Sequence, residues 1–273
     1  MRIFIIVAGL LIGFLPLKAQ RGWELGAWAG VSYYFGDLNS TFNLSRPGPA
    51  GGGAARFNFN NRLAVKFDLN YGRISADDQF SNNDFERARN LSFSSNIFEF
   101  SGQFEFNFMP FIHGSDDFPF TPYLFGGLSV FYFNPQAVYE GESYALRDMG
   151  TEGQFTGNEY FLVQPAFVYG GGVKFDLNDV WSVNVEISAR RLFTDYLDDV
   201  SGLYADKDEI FALRGPIAVE LSDRSTPENR ELFQIGQPGR QRGNSRDRDS
   251  FNFIKIGFMY YFGYLPCPEI SRF

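Results

Sequence analysis

Residues 98–108 read FEFSGQFEFNF, and apolar and polar side chains alternate along them. Phe98, Phe100, Phe104, Phe106 and Phe108 share one face of a strand; Glu99, Ser101, Gln103, Glu105 and Asn107 share the other. A tilted strand of about eleven residues is long enough to cross a bilayer. In a soluble sandwich a second sheet would have to cover those phenylalanines. Lipid covers them equally well if the glutamate face turns into a closed barrel.

The same period returns over residues 23–35, 51–59, 63–73, 123–133, 160–177, 180–193 and 251–262. With the fourth strand, this predicts an all-β, antiparallel up-and-down barrel of about eight strands. The alternation of the fourth strand slips phase near Ile97-Phe98, which predicts a bulge there. Tight turns are expected at Asn60-Asn61 and Asn178-Asp179, with a somewhat longer one near His113. Long polar loops are expected over 36–49, 75–90, 134–158 and 194–248, the last with a short helix begun by Pro216. Short and long connections therefore alternate, as periplasmic turns and extracellular loops do in an outer-membrane barrel.

Composition fits this pattern. Of the 273 residues, 33 are Phe and 14 are Tyr, and mean hydropathy is only −0.20 although 44% are apolar. Alternation hides hydrophobicity in this way. A net charge of −8 argues against a nucleic-acid partner. The single cysteine, Cys267, excludes an internal disulfide and a cysteine-based zinc cluster. At the N-terminus, Arg2, an apolar run over 3–17 and Ala19 read as an export signal. The expected division is a signal peptide over 1–19, a barrel over 20–262 and a periplasmic tail over 263–273. The expected location is the outer membrane of a Gram-negative bacterium, with its lipid as a partner.

The inward face carries charges of both signs: Glu24, Lys66, Asp68, Glu99, Glu105, Lys174, Asp176, Glu186, Arg190 and Lys255. An eight-stranded barrel is just wide enough for side chains to fill it. These charges must then pair, because an unpaired buried charge is costly. A plug of paired charges is expected rather than a selective channel.

No catalytic, cofactor or metal residues are assigned. A barrel hydrolase needs a nucleophile with a base, and the lone histidine, His113, falls in a predicted periplasmic turn. Asp198, Asp199, Asp206, Asp208 and Glu209 lack the spacing and glycine of a calcium loop, so they read as solvated acids. Gly51-Gly52-Gly53 and Gly170-Gly171-Gly172 precede no helix and carry no phosphate-loop lysine. They read as strand glycines.

Several stretches resemble the PorG-like outer-membrane barrels of the type IX secretion system. They are WELGAWAGVSYYFGDLN (23–39), FTDYLDDVSGLY (193–204), RGPIAVELSDRS (214–225), RGNSRDRDSFNFIKIGFMYYF (242–262) and a tail with Cys267-Pro268. The motif Tyr196, Leu197, Asp198, Asp199, Val200 and Ser201 is the most specific piece. The resemblance implies a non-enzymatic accessory barrel that anchors or positions the periplasmic ring of that machine, with the ring lipoprotein as partner. The partner surface would then be periplasmic: Asn60, Asn61, His113, Asn178, Asp179 and Cys267. A bland role for the motif is to pin the long loop over the barrel mouth. Alternatives that the residues leave open are a general small barrel for envelope stability or adhesion, and a narrow porin or a lipid-modifying enzyme.

Overall fold

The computed structural model describes residues 21–41, 43–246 and 248–263. The predicted signal peptide, and Cys267 with the rest of the tail beyond Gly263, lie outside the described residues. Strand alternation yields β1 (Gly22–Phe35), β2 (Gly48–Asn58), β3 (Leu63–Asp77), β4 (Ser92–Asn107) and β5 (Phe120–Tyr132). A small hairpin, β6 (Gln136–Tyr139) and β7 (Glu142–Ala145), precedes β8 (Val163–Asp176), β9 (Trp181–Leu192) and β10 (Ser250–Gly263). Eight of these strands form a ring in the order β1-β2-β3-β4-β5-β8-β9-β10, and β10 pairs back onto β1 through Trp23 and Phe262. Every neighbour is antiparallel, so the ladder has no free edge. The fold is a closed eight-stranded barrel. The hairpin β6–β7 stands outside it, bridged to β4 only at Ser94 and Gln136.

The outer wall is apolar. Phe104 is 72% exposed, Leu69 65%, Leu128 62% and Ile187 60%, and no other part of the described chain covers them. Soluble monomers rarely expose a continuous apolar surface of this size. Trp23 packs on Phe57 at 5.1 Å and Trp181 on Tyr260 at 5.0 Å, forming part of an aromatic girdle at the short-turn end. Such a wall suits a barrel that spans a membrane.

The structure corrects the expected bulge. Pairing of β3 with β4 runs in unbroken register from Leu63↔Phe106 to Asp77↔Ser92. The phase of β4 never slips; the chemistry of its inward face changes instead. Glu99, Ser101, Gln103, Glu105 and Asn107 point inward in one half, and Phe93, Ser95 and Ile97 in the other. The lumen therefore has a charged half near the short turns and an apolar half near the long loops. Phe131, Phe133, Phe251, Phe253 and Leu192 complete the apolar half.

Long loops fold over the apolar half. β3 extends past the expected boundary near residue 75, and α1 (Asp84–Arg89) follows, capped by Asn83 accepting from Phe85 N–H. α2 (Leu146–Met149) ends the external hairpin. The last loop carries α3 (Lys207–Arg214), α4 (Pro216–Ser222) and α5 (Pro227–Phe233), of which α4 matches the proline-started helix expected. α3 begins at Asp206, whose side chain accepts from Asp208 N–H, and carries Glu209 in its first turn.

Candidate functional site

In the charged half, each strand contributes alternate residues to one network. Arg56 Nη1 lies 2.7 Å from Glu24 Oε2, and Arg56 Nε lies 2.7 Å from Glu105 Oε2. Lys174 Nζ reaches the same Glu105 oxygen at 2.7 Å. Lys66 binds Glu186 and sits 3.4 Å from Glu105; Lys255 sits 3.1 Å from Asp68 and 3.4 Å from Glu186. Arg190 grips Glu99 with two bonds, Nε to Oε1 at 3.0 Å and Nη2 to Oε2 at 2.8 Å. These side chains are almost wholly buried. Asp176, at the short-turn end, has a nearly buried side chain held by His113 Nδ1 at 2.7 Å.

Two residues of this network were missed in the sequence. Arg56 follows the glycine run of β2, where alternation is weak, yet it bridges Glu24 and Glu105 at the centre of the network. His113 is the second. Its turn folds back under the barrel, leaving the side chain 4% exposed and stacked on Tyr261 at a ring distance of 4.6 Å. It does not present an outward partner surface, because both ring nitrogens face acids: Asp176 Oδ1 at 2.7 Å and Glu24 Oε1 at 3.5 Å. Burial lowers its pKa, but hydrogen bonds to Asp176 and Glu24 outweigh that and raise it overall. Among the described residues the lumen then holds six carboxylates (Glu24, Asp68, Glu99, Glu105, Asp176, Glu186) against five cations (Arg56, Lys66, Lys174, Arg190, Lys255) and one protonatable imidazole.

Aromatic rings fill the space between charges. Lys255 Nζ lies 4.5 Å from the Trp28 ring centre, Lys174 Nζ 4.6 Å from Tyr123, and Arg190 4.4 Å from Phe253. Glycine makes this possible on β8: a Cβ at Gly170 would meet the Phe125 ring at 2.6 Å, and one at Gly172 the Tyr123 ring at 2.9 Å. A space of about 20 Å³ remains between Trp28, Arg56, Lys66, Asp68, Asn184 and Lys255. One water needs about that much.

The motif Tyr196-Leu197-Asp198-Asp199-Val200-Ser201 lies across the barrel mouth, and Leu197 to Ser201 are buried. Leu197 and Val200 join the apolar core. Tyr34 Oη donates to Asp198 Oδ2 at 2.5 Å, and Asp198 Oδ1 accepts from Val200 N–H at 2.9 Å. Asp199 accepts from Thr151 and from Tyr160 Oη at 2.8 Å, while its carbonyl accepts from Arg242 Nη1 at 2.6 Å. Arg242 also reaches Glu152 Oε1 at 3.0 Å, and that oxygen accepts from Ser201 and Gly202 N–H. Arg89 clamps Asp78 with two bonds of 2.8 Å and donates to the Arg242 carbonyl at 2.6 Å. With Arg89 Nη2 also donating to the Asp37 carbonyl at 2.8 Å, four loops are tied into one lid.

The lid concentrates acid. Asp249 Oδ1 lies 3.1 Å from Tyr34 Oη, and its other oxygen accepts from Leu197 N–H at 2.9 Å. Burial, with Asp37 nearby, pushes the Asp198 pKa well above the carboxylate range; burial with Asp198, Asp195 and Asp37 does the same to Asp249. Burial lifts Asp195 to about 7, and Asp37 and Asp199 to about 6. Asp206, Asp208 and Glu209 stand apart, exposed at the start of α3. Asp198 and Asp199, expected as solvated acids, are instead buried in the lid and do not meet Asp206, Asp208 and Glu209, and among the described residues no cluster has metal-holding geometry.

Near the short turns, Asn60 and Asn61 are half-buried and Asn178 and Asp179 exposed. The Asn60 side chain accepts from Leu63 N–H at 2.8 Å and that of Asn178 from Trp181 N–H at 2.9 Å, which closes both turns.

Residues 1–215, more than three quarters of the chain, match the family model described as "Domain of unknown function (DUF6089)". No curated protein matches the sequence. Among solved structures, Neisserial surface protein A is similar at 10% identity and a TM-score of 0.44, covering 88% of this chain and 97% of that one. OprG of Pseudomonas aeruginosa is similar at 10% identity and a TM-score of 0.43, covering 90% and 98%. Ail, the attachment invasion locus protein of Yersinia pestis, is similar at 10% identity and a TM-score of 0.42, covering 90% and 100%. At such identities no function is carried across.

Proposed function

This chain belongs to the DUF6089 family, and we propose that it is a non-conducting outer-membrane barrel that serves as an accessory scaffold of the type IX protein secretion machinery. The observation that carries the reading is the double closure of its lumen. A conducting barrel needs a continuous water path, whereas here paired charges fill one half and a buried lid seals the other. A barrel of this kind has its outer surface, turns and loops left to work with. The secretion machinery enters through the sequence resemblance, above all the motif from Tyr196 to Ser201. That motif holds the lid, so its part in the scaffold is structural, and the partner contact belongs to the other end.

In this reading the short turns face the periplasm, the apolar wall lies in outer-membrane lipid, and the long loops face outward. Asn60, Asn61, Asn178 and Asp179 form the surface for the ring lipoprotein. His113, being buried, props that surface from within. The test is a gentle-detergent pull-down of the tagged protein from native outer membranes, with mass spectrometry of what co-elutes. The ring lipoprotein is expected, and its recovery is expected to fall when the two turns are swapped for those of an unrelated barrel. A barrel that elutes alone, from a strain whose cargo secretion survives deletion of the gene, would contradict the proposal.

A second reading is favoured by the loops themselves. Phe161 is 78% exposed and Leu232 74%, and Phe155 and Phe211 are also exposed on the long-loop side. Apolar side chains displayed there suit adhesion or another surface contact. Intact secretion with altered surface binding after deletion would select that reading.

A further inference from the structure

The long-loop rim of β9 and β10 carries a groove with a net positive charge. Its volume is about 980 Å³, and Arg191, Arg246 and Arg248 are exposed along it. Among the described residues, none of these three side chains makes a hydrogen bond or salt bridge, although Arg248 lies within the electrostatic reach of Asp195. The groove's other charges are already engaged. Asp37 accepts twice from Asn244 N–H at 3.0 Å, Glu86 accepts from Ser40 and Ser81 hydroxyls, and Asp249 is held by Tyr34 and Leu197. Arg89, Arg190 and Arg242 are paired with Asp78, Glu99 and Glu152. Asp247 stands between Arg246 and Arg248 in the sequence and Asp195 lies near Arg248, yet three arginines against these two acids leave the groove net positive in a chain of net charge −8.

Position identifies the anion. Arg191 pairs across the ladder with Phe167, and both point away from the lumen. Phe167 packs on Phe193 at 5.2 Å, and Tyr169, also outward and exposed, lines the groove. Outward arginine on a membrane barrel costs about 2–4 kcal/mol at the bilayer midplane and almost nothing at the interface. An outward arginine beside exposed aromatic rings therefore marks headgroup level. A soluble anion would not need this apolar flank.

We propose that this groove binds a phosphorylated glycolipid of the outer leaflet. Its phosphates would take Arg191, Arg246 and Arg248, and its acyl chains would lie down the apolar wall of β8, β9 and β10. The inference rests on the membrane orientation proposed above and not on any secretion partner.

The test is native mass spectrometry of the purified full chain in detergent with bisphosphorylated lipid A. Dephosphorylated lipid A and phosphatidylethanolamine are the comparison lipids, and excess inorganic phosphate is the competitor. Retention of lipid A is expected, with about tenfold or greater loss on dephosphorylation of the lipid or in the R191Q/R246Q/R248Q variant. Inorganic phosphate is expected not to displace it. Heat-modifiable gel mobility reports folding of the variant, and the dephosphorylated lipid tests the wild-type chain without any mutation. Equal retention of both forms of lipid A, or displacement by inorganic phosphate alone, would overturn the proposal. Protease cleavage of the long loops on intact cells reads the orientation separately. Loops protected in whole cells and cut only after the outer membrane is opened would overturn it through that premise.

Discussion

Tyr34 on β1 and Asp198 in the lid motif are 164 residues apart in sequence, yet the tyrosine hydroxyl donates to the carboxylate at 2.5 Å. The same hydroxyl lies 3.1 Å from Asp249. A hydroxyl has one hydrogen to give. The second contact is the weaker, longer one, made to a carboxyl whose pKa burial beside Asp198, Asp195 and Asp37 pushes well above the usual range. One strand, the motif and the residue before β10 are joined through this one hydroxyl.

Tyr34→Phe removes that junction while leaving the ring in place against Phe93, 4.8 Å away. Two buried carboxyls lose a partner, at about 1–3 kcal/mol for a group left unsatisfied. The lid is expected to loosen and the barrel to stay closed. Limited proteolysis checks this: cleavage within 194–248 should speed up while heat-modifiable gel mobility is unchanged.

The acids of the lid set the sign of its pH dependence. Asp195 is lifted to about 7 and Asp37 and Asp199 to about 6, all above the ordinary carboxylate value. A raised pKa means the folded lid binds protons more tightly than the unfolded chain. Its stability is then greatest below about pH 4 and falls as pH rises through about 6 to 7. Asp195 is partly solvated, so its share is the smaller. Amide exchange in 195–201, corrected for intrinsic rates, should be slower at pH 5 than at pH 8.

The Arg190–Glu99 pair is the cleanest place to test the network, because it stands at the boundary between charged and apolar halves. Glu99→Gln leaves the guanidinium buried without its counter-charge, at about 3–5 kcal/mol. Pairing it with Arg190→Met removes the orphan and should recover most of the loss. Urea unfolding from lipid vesicles measures both variants.

His113 predicts a change of the same direction at the other end. Its folded pKa is raised, so its contribution is complete below the unfolded value near 6.5 and is lost as pH rises through the folded value. His113→Phe keeps a ring for Tyr261 and should remove this dependence. It should also lower stability at pH 6, since Asp176 and Glu24 lose a donor. Unfolding curves at pH 6 and pH 9 provide the comparison.

Strand number, turn positions and the membrane-facing wall were legible because each follows from a period of two, which residues 98–108 display without a break. Where the period carried less information the reading failed. On β4 the inward face passes from Glu99 to Ile97 and Phe93, and a change of lumen chemistry imitated a slip of phase. Arg56 went unnoticed behind three glycines that give no alternation. The hairpin β6–β7 has four residues per strand, too few to stand out in a polar loop. α3 carried its own signal in Asp206 and Glu209, an N-cap acid and a first-turn acid, which are solvated as expected but also start a helix. Burial of His113, Asp198 and Asp199 depends on how distant loops fold back, and no local pattern encodes that.

The charge network and the lid close the lumen twice over. Single-channel recording in planar bilayers tests this for the full chain and for a variant in which residues 195–248 are replaced by a short linker. No conductance steps are predicted for either protein, because the charged half remains packed when the lid is gone. Steps from the full chain would contradict the closed lumen, and steps from the shortened chain alone would assign the closure to the lid and not to the charge network.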